Sequence, residues 1–321
     1  MNANASLIPK LVALAIVACV PLSGESFYIE MVGKVLVMAI FAMSLDLLVG
    51  FTGLVSFGHA AYFGIAAYAV AILSPEYEAA SLWYVLPASV GLSALAAFVI
   101  GLFVLRTKGI YFIMVTLAFA QMAYFIFHDT PLGGGSDGKY LNNTPSASIF
   151  GWEPFDLANE VHMFYFVLAV LVLVYLFLAR VLQSPFGRVL VGIKSNEHRM
   201  QSLGYYTFRY KLGAFTLAGA LGGLAGFLYA VLSGFVTPEL LSWHESGNVL
   251  LMVILGGMGN LAGAIAGAFA FEAMREIFAD ITKYWQLLMG GVIVAVVLFL
   301  PGGLAGVPGR IKRALQGGDA K

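Results

Sequence analysis

The sequence predicts an all-α fold: a polytopic transmembrane helical bundle with about eight full spans plus one glycine-broken helical pair. Three observations predict it. Hydrophobic residues make up 60% of the 321 and charged residues only 11%, less than half the ~25% usual for soluble domains. Apolar runs recur from end to end at a mean hydropathy of +0.90, which excludes a soluble domain on a single anchor. The formal net charge is zero, yet the charges collect in the connections, basic in some and acidic in others. Residues 1–321 are therefore read as one transmembrane domain seated in a lipid bilayer, with no nucleic-acid partner. The lone Cys19 excludes an internal disulfide and any multi-cysteine metal site.

Eight apolar stretches cross, or nearly cross, a hydrocarbon core of ~30 Å. They are Leu7–Leu22, Met31–Gly50, Gly58–Leu73, Leu82–Leu105, Ile110–Phe127, Val161–Leu182, Leu212–Phe235 and Trp285–Pro301. Lys10 and the apolar run after it have the shape of a signal peptide, and Ile16–Cys19 that of a lipoprotein processing site. The next span begins almost at once, so this stretch is read as an uncleaved first helix. With the N-terminus inside, Glu25, Glu30, Glu76 and Glu78 fall outside, and Arg106 and Lys108 fall inside. The loop 128–160 carries Lys139 against five acids and is expected outside. The segment 183–211 is then inside and Glu239–Glu245 outside, as expected when short basic loops stay cytoplasmic.

A further stretch, Val249–Phe271, is interrupted by Gly256-Gly257-Met258-Gly259-Asn260. If it crosses fully, the basic tail 307–321 (Arg310, Lys312, Arg313, Lys321) lies outside, against the charge rule. If the glycine-rich break is the turn of a re-entrant pair, the tail returns to the cytoplasm, and this reading is preferred. Broken backbone at that depth needs cover from protein or a water-filled path. A second glycine-punctuated element runs from Gly50 through Gly53 and Gly58 to Gly64. Such breaks in two halves of a transporter point to a substrate path, so Gly256, Gly257, Gly259 and Asn260 join the candidate path residues.

Several motifs favour a plain reading. Gly133–Lys139 fits the spacing of a phosphate-binding loop, but Tyr140 stands where a magnesium-binding Ser or Thr belongs. A flexible polar turn is expected, and the chain itself is expected to hold no nucleotide, cofactor or metal. Ser56 and His59 have the spacing of a nucleophile and base, yet nothing signals an orienting third group or an oxyanion hole. They are expected to act as a helix cap and a packed histidine, or as path residues. Asp46 and Gln121 lie within apolar spans, where polar groups are costly and usually face a bundle interior or water; Asp46 is also near enough to the cytoplasmic end to snorkel. The small-xxx-small pairs Gly219/Gly223, Gly222/Gly226 and Gly259/Gly263/Gly267 permit close helix approach within one subunit or between two.

Charge is concentrated most strongly in Ser184–Ala230. Arg188, Lys194, Arg199, Arg209 and Lys211 stand there against a single acid, Glu197. The segment is long enough for a short amphipathic helix that a soluble partner could grip.

Four blocks then carry a family resemblance: Gly53–Ala69 (GLVSFGHAAYFGIAAYA), Lys108–Met122 (KGIYFIMVTLAFAQM), Ser184–Phe215 and Leu250–Ala268 (LLMVILGGMGNLAGAIAGA). The chain resembles the permease subunits of branched-chain amino-acid ABC importers, of the M type that partners an H-type permease. Leu54 and Lys194 depart from the Gln and Arg that many relatives carry. The resemblance implies a homologous H-type permease, two cytoplasmic ATP-binding subunits that hold ATP and Mg, and an external substrate-binding protein. It implies a bacterial inner-membrane location and makes 183–211 an ATPase-coupling loop, its helix at about Ser195–Leu203. Asn196, Glu197 and Gly204 would hold the defining positions, supported by Arg188, Lys194 and Arg199. The family also resembles importers of urea, short amides and other small carboxylates, so an ABC permease for one of those solutes is an alternative reading. An ion-coupled secondary transporter or channel acting alone is the runner-up, and a membrane-embedded enzyme lacks a convergent polar constellation.

Overall fold

A computed structural model describes residues 12–75, 79–148, 155–300 and 302–306. The basic tail 307–321, Lys10, Glu76 and Glu78, and part of the loop 128–160 lie outside the described residues.

The helices, in chain order, are α1 (Val12–Leu22), α2 (Ser26–Asp46), α3 (His59–Leu73), α4 (Leu82–Val104), α5 (Ile110–Asp129) and α6 (Glu160–Gln183). There follow α7 (Pro185–Ser195), α8 (Glu197–Ser202), α9 (Thr207–Ser233), α10 (Trp243–Gly256), α11 (Leu261–Ile281) and α12 (Trp285–Phe299). Among the described residues, six helical segments are long and apolar enough to span a membrane: Ser26–Thr52, Leu82–Val104, Ile110–Asp129, Glu160–Gln183, Thr207–Ser233 and Trp285–Gly306. Of the other two expected stretches, Gly58–Leu73 forms the shorter apolar helix His59–Leu73, which follows the irregular segment from Gly53 to Gly58, and only Val12–Leu22 of Leu7–Leu22 lies within the described residues. At ~1.5 Å per residue, the 15 residues of α3 reach only about three quarters of the ~30 Å hydrocarbon core.

Layering follows burial. In the most apolar 18-residue stretch of Ser26–Thr52, 94% is buried, which places this helix at the centre of the bundle, whereas the corresponding stretch of Trp285–Gly306 is 18% buried and lies on its outside. The long α9 packs against α2, α3 and α4 through its small residues. A Cβ on Gly219 would strike Ala97, one on Gly223 would strike Ser93, and one on Gly226 would enter the Phe63 backbone. Gly263 and Gly267 likewise face the α10 carbonyls of Gly256 and Met252. These small-residue pairs thus serve packing within the chain.

The two ends of the bundle differ. At one end Lys139–Tyr140 (β1) pairs antiparallel with Phe235–Val236 (β2), Lys139 opposite Val236. This folds the glycine-rich loop down as two 3-10 turns, Pro131–Gly133 and Gly135–Asp137, rather than as the flexible turn expected. Gly138, at φ 76°, lies against the Val236 carbonyl, an approach that leaves no room for a side chain. The opposite end gathers Leu47–Val55, the connection Arg106–Gly109, and helices α7 and α8.

Candidate functional site at the basic end of the bundle

Local sequence builds α7 and α8 as a corner. Ser184 caps α7 by accepting a hydrogen bond from the Gly187 amide at 3.4 Å, and Pro185 occupies the first helical position, where its missing N–H is harmless. Val189, Leu190 and Ile193 are buried while Arg188 and Lys194 stand on the exposed side, so α7 lies amphipathically against the bundle. Phe186 stacks on Tyr210 of α9 at 5.8 Å.

A short helix, α8, lies within the expected bounds Ser195–Leu203, and its ends are set by residues singled out there. The Asn196 side chain accepts from the Arg199 amide at 3.0 Å as the N-cap. Gly204, at φ 87°, closes the other end. Its amide donates to the Gln201 carbonyl at 2.9 Å and the Tyr205 amide to that of Met200 at 3.1 Å, the paired bonds of a Schellman stop.

Glu197 ties α8 to the base of α9. Its Oε1 accepts from Lys211 Nζ at 2.6 Å and from Thr207 Oγ1 at 3.1 Å, while Oε2 lies 3.8 Å from Lys108 Nζ in the α4–α5 connection. Lys211 and Thr207 are buried. Partial burial by itself would raise the Glu197 carboxyl. The Lys211 hydrogen bond and charge, the Thr207 hydroxyl and the Lys108 charge together outweigh that and hold its pKa below the ordinary carboxylate value. Gln201 Nε2 donates to the same Thr207 hydroxyl at 3.1 Å. What remains outside is an apolar and cationic face: Leu203 and Tyr206 are strongly exposed, and the Arg209 guanidinium lies 5.2 Å over the Tyr206 ring. Arg188 and Arg199 are also exposed. Behind α8 a cavity of ≈ 410 Å³ opens between Thr52–Val55, Thr107–Ile110 and the Lys194, Glu197 and Lys211 side chains.

The candidate path residues divide into separate places. Asp46 is fully buried and does not snorkel; its Oδ1 accepts from the Gly259 amide at 2.8 Å, which brings the glycine-rich break onto the end of α2. There Gly256 packs on the Gly263 carbonyl, Gly257, at φ 105°, faces the Gly302 carbonyl, and Asn260 caps α11 by accepting from the Ala262 amide at 3.1 Å. The α10 and α11 axes bend by 117° across this break. His59 lies elsewhere, fully buried and stacked on Phe41, with its Nε2 2.8 Å from Ser44 Oγ. Ser56 is buried too and accepts from the Gly58 amide at 3.2 Å. Gln121 sits apart on α5, half-buried in a hollow lined by Met122, Phe125 and Ile126. Sequence reasoning missed Thr207 and Lys108 as partners of Glu197, Gly50 as the partner of Lys194, and Ser44 as the partner of His59. The one legible signal was Glu197 itself, the only acid among the five bases of that segment.

Comparison with known proteins adds a family to this geometry. The profile of the family described as "Branched-chain amino acid transport system / permease component" matches residues 27–297. The chain is 32% identical to the high-affinity branched-chain amino acid transport system permease protein LivM of Salmonella typhimurium, over 97% of this chain and 77% of that relative. The Escherichia coli LivM gives the same 32% identity with the same coverage. A probable LivM permease of Methanocaldococcus jannaschii is 29% identical over 43% of this chain and 44% of its own length. No solved structure matches the chain.

Proposed function

We propose that this chain, which belongs to the family of branched-chain amino acid transport system permease components, forms one half of the translocation path of an ATP-driven importer. The substrates are branched-chain or related amino acids. The other half is a homologous H-type permease, and an external binding protein delivers the solute. This chain performs no catalysis and binds no cofactor. ATP and Mg sit on two cytoplasmic subunits that grip α8.

The doubly capped α8, pinned through Glu197 to the base of a long membrane helix, is the observation that carries this reading. A short rigid helix held in a partner's groove passes rigid-body motion to the helix it is pinned on. The outward face of α8 and the residues after it, Arg199, Leu203, Tyr206 and Arg209, offers the apolar and cationic contacts such a groove needs.

In the bacterial inner membrane, the loop 183–211 and the tail 307–321 face the cytoplasm and the loop 128–160 faces outward. Counted with α1 and α3, the six long segments make eight passes, and α10–α11 forms a re-entrant pair. The approach of Gly302 and Gly303 to Gly257 supports that topology, since it returns the end of α12 to the level of the glycine-rich turn. A reporter fused to the C-terminus should read cytoplasmic; an external reading overturns the re-entrant pair.

The decisive experiment is gentle purification of the tagged chain from its own membranes. A second related permease and ATP-binding subunits should co-purify, and reconstituted vesicles should accumulate branched-chain amino acids only with ATP and binding protein. A chain that purifies alone and moves solute without ATP is a secondary transporter, and the importer reading fails.

A further inference from the structure

Three elements distant in sequence meet at Gly50. Residues Leu47–Thr52 are wound as a π-helix at the end of α2 and stopped by Gly53 at φ 77°. Such a turn is rare and often marks a functional position. From α7, one residue before the α8 corner begins, Lys194 reaches 144 residues back in sequence and donates from Nζ to the Gly50 carbonyl. Its stem lies across Gly53, where a Cβ would sit 3.2 Å from Lys194 Cγ. On its other side Gly50 touches the Asp46 carboxylate and the Gly259 amide so closely that a Cβ would overlap both. Asp46 in turn holds the Gly259 amide at 2.8 Å, across 213 residues of sequence. Asp46 Oδ2 is buried with no hydrogen-bond partner, and the Lys194 ammonium supplies the nearby countercharge.

We propose that Lys194, Gly50 and Asp46 are positioning residues of transport, forming a rigid link that carries displacement of α7–α8 to the α10–α11 turn. The proposal rests on the coupling reading of α8. The chain of contacts is short and stiff: an ammonium on a carbonyl, a glycine with no side chain to yield, and a carboxylate on an amide. Motion at α8 therefore has a direct route to the glycine-rich turn that does not pass through α9. Gly50 and Gly259 make the route possible because only backbone separates the two elements there. Asp46 is on this view a strut, with no need to touch solute.

The test uses the complete importer reconstituted in proteoliposomes, with ATP hydrolysed and solute imported measured on the same samples. In Lys194→Met the ATP consumed per solute imported should rise about tenfold. Lys194→Arg, which still offers a donor to the Gly50 carbonyl, should restore the native ratio. Asp46→Asn keeps the Gly259 bond but loses the charge facing Lys194, and should raise the ratio by about threefold. In a Cys19→Ser background, spin labels at the exposed Val191 of α7 and at Met258 should report nucleotide-dependent motion at both sites in the native link and at Val191 alone in Lys194→Met. An unchanged ratio in Lys194→Met, or hydrolysis and uptake falling together, overturns the link. Failure to assemble with ATP-binding subunits at all would overturn the importer reading instead.

Discussion

Replacing Glu197 by alanine removes the acceptor shared by Lys211 and Thr207 and leaves a buried ammonium without its partner. Two unit charges about 4 Å apart attract by ~4 kcal/mol at an effective dielectric constant of about 20. Desolvation of Lys211, whose side chain is only 9% exposed, offsets roughly half of that. The remainder, ~2 kcal/mol, agrees with the range for a hydrogen bond to a charged group. Lys108, at 68% side-chain exposure, adds little. A loss of ~2 kcal/mol shifts the docked-to-undocked equilibrium of α8 by about 30-fold. Hydrogen exchange on the detergent-purified chain reads this directly at the Met200, Leu203 and Tyr205 amides, which bond to the Asn196, Arg199 and Met200 carbonyls. Exchange there should accelerate by about 30-fold in Glu197→Ala while amides in the middle of α9 stay protected. Lys211→Met should cost less alone, and the double variant less than the sum, because no orphaned charge remains. If Glu197→Ala leaves those amides within twofold of native, the ion pair does not hold α8 and the coupling argument loses its anchor.

Acid should act at the same place. Because the folded Glu197 carboxyl titrates below its ordinary value, its contribution is complete above the unfolded pKa and is lost as pH falls through the folded one. Exchange of the α8 amides should therefore rise on going from about pH 7 to about pH 3, after correction for intrinsic rates, and Glu197→Ala should abolish that dependence. Gly226→Val forces side-chain atoms into the Phe63 backbone of α3 and should leave little monodisperse protein on gel filtration, at a cost of ~3 kcal/mol or more. Asn260→Ala removes the α11 cap and should lower the thermal midpoint through ~1 kcal/mol, with Asn260→Asp close to native. Ser44→Ala strips His59 Nε2 of its partner and should cost ~1–3 kcal/mol. Uptake in that variant should fall with the folded amount at unchanged KM, and a changed KM would place His59 against the solute.

Much of the outline was legible because membrane insertion is local. A run of apolar residues spans lipid whatever its neighbours do, so α2, α4, α5, α6, α9 and α12 could be marked by length alone. The helix at about Ser195–Leu203 was legible only through the family resemblance; that Asn196 and Gly204 bound it by hydrogen bonds is seen in the structure.

What the sequence by itself determined, then, is a lipid-facing helical bundle with one basic segment long enough for a short amphipathic helix. Which helix stands at the centre was decided only in three dimensions. In lipid both faces of a span can be apolar, so no polar stripe tells α2, the buried hub, from α12 on the outside. The same holds for the polar residues inside. Asp46 reads alone as a path residue or a snorkelling acid, and its bond to the Gly259 amide exists because folding brings positions 213 residues apart to one point. Glycine permits that meeting by leaving the backbone bare, and no local rule in the chain says which other backbone will fill the space.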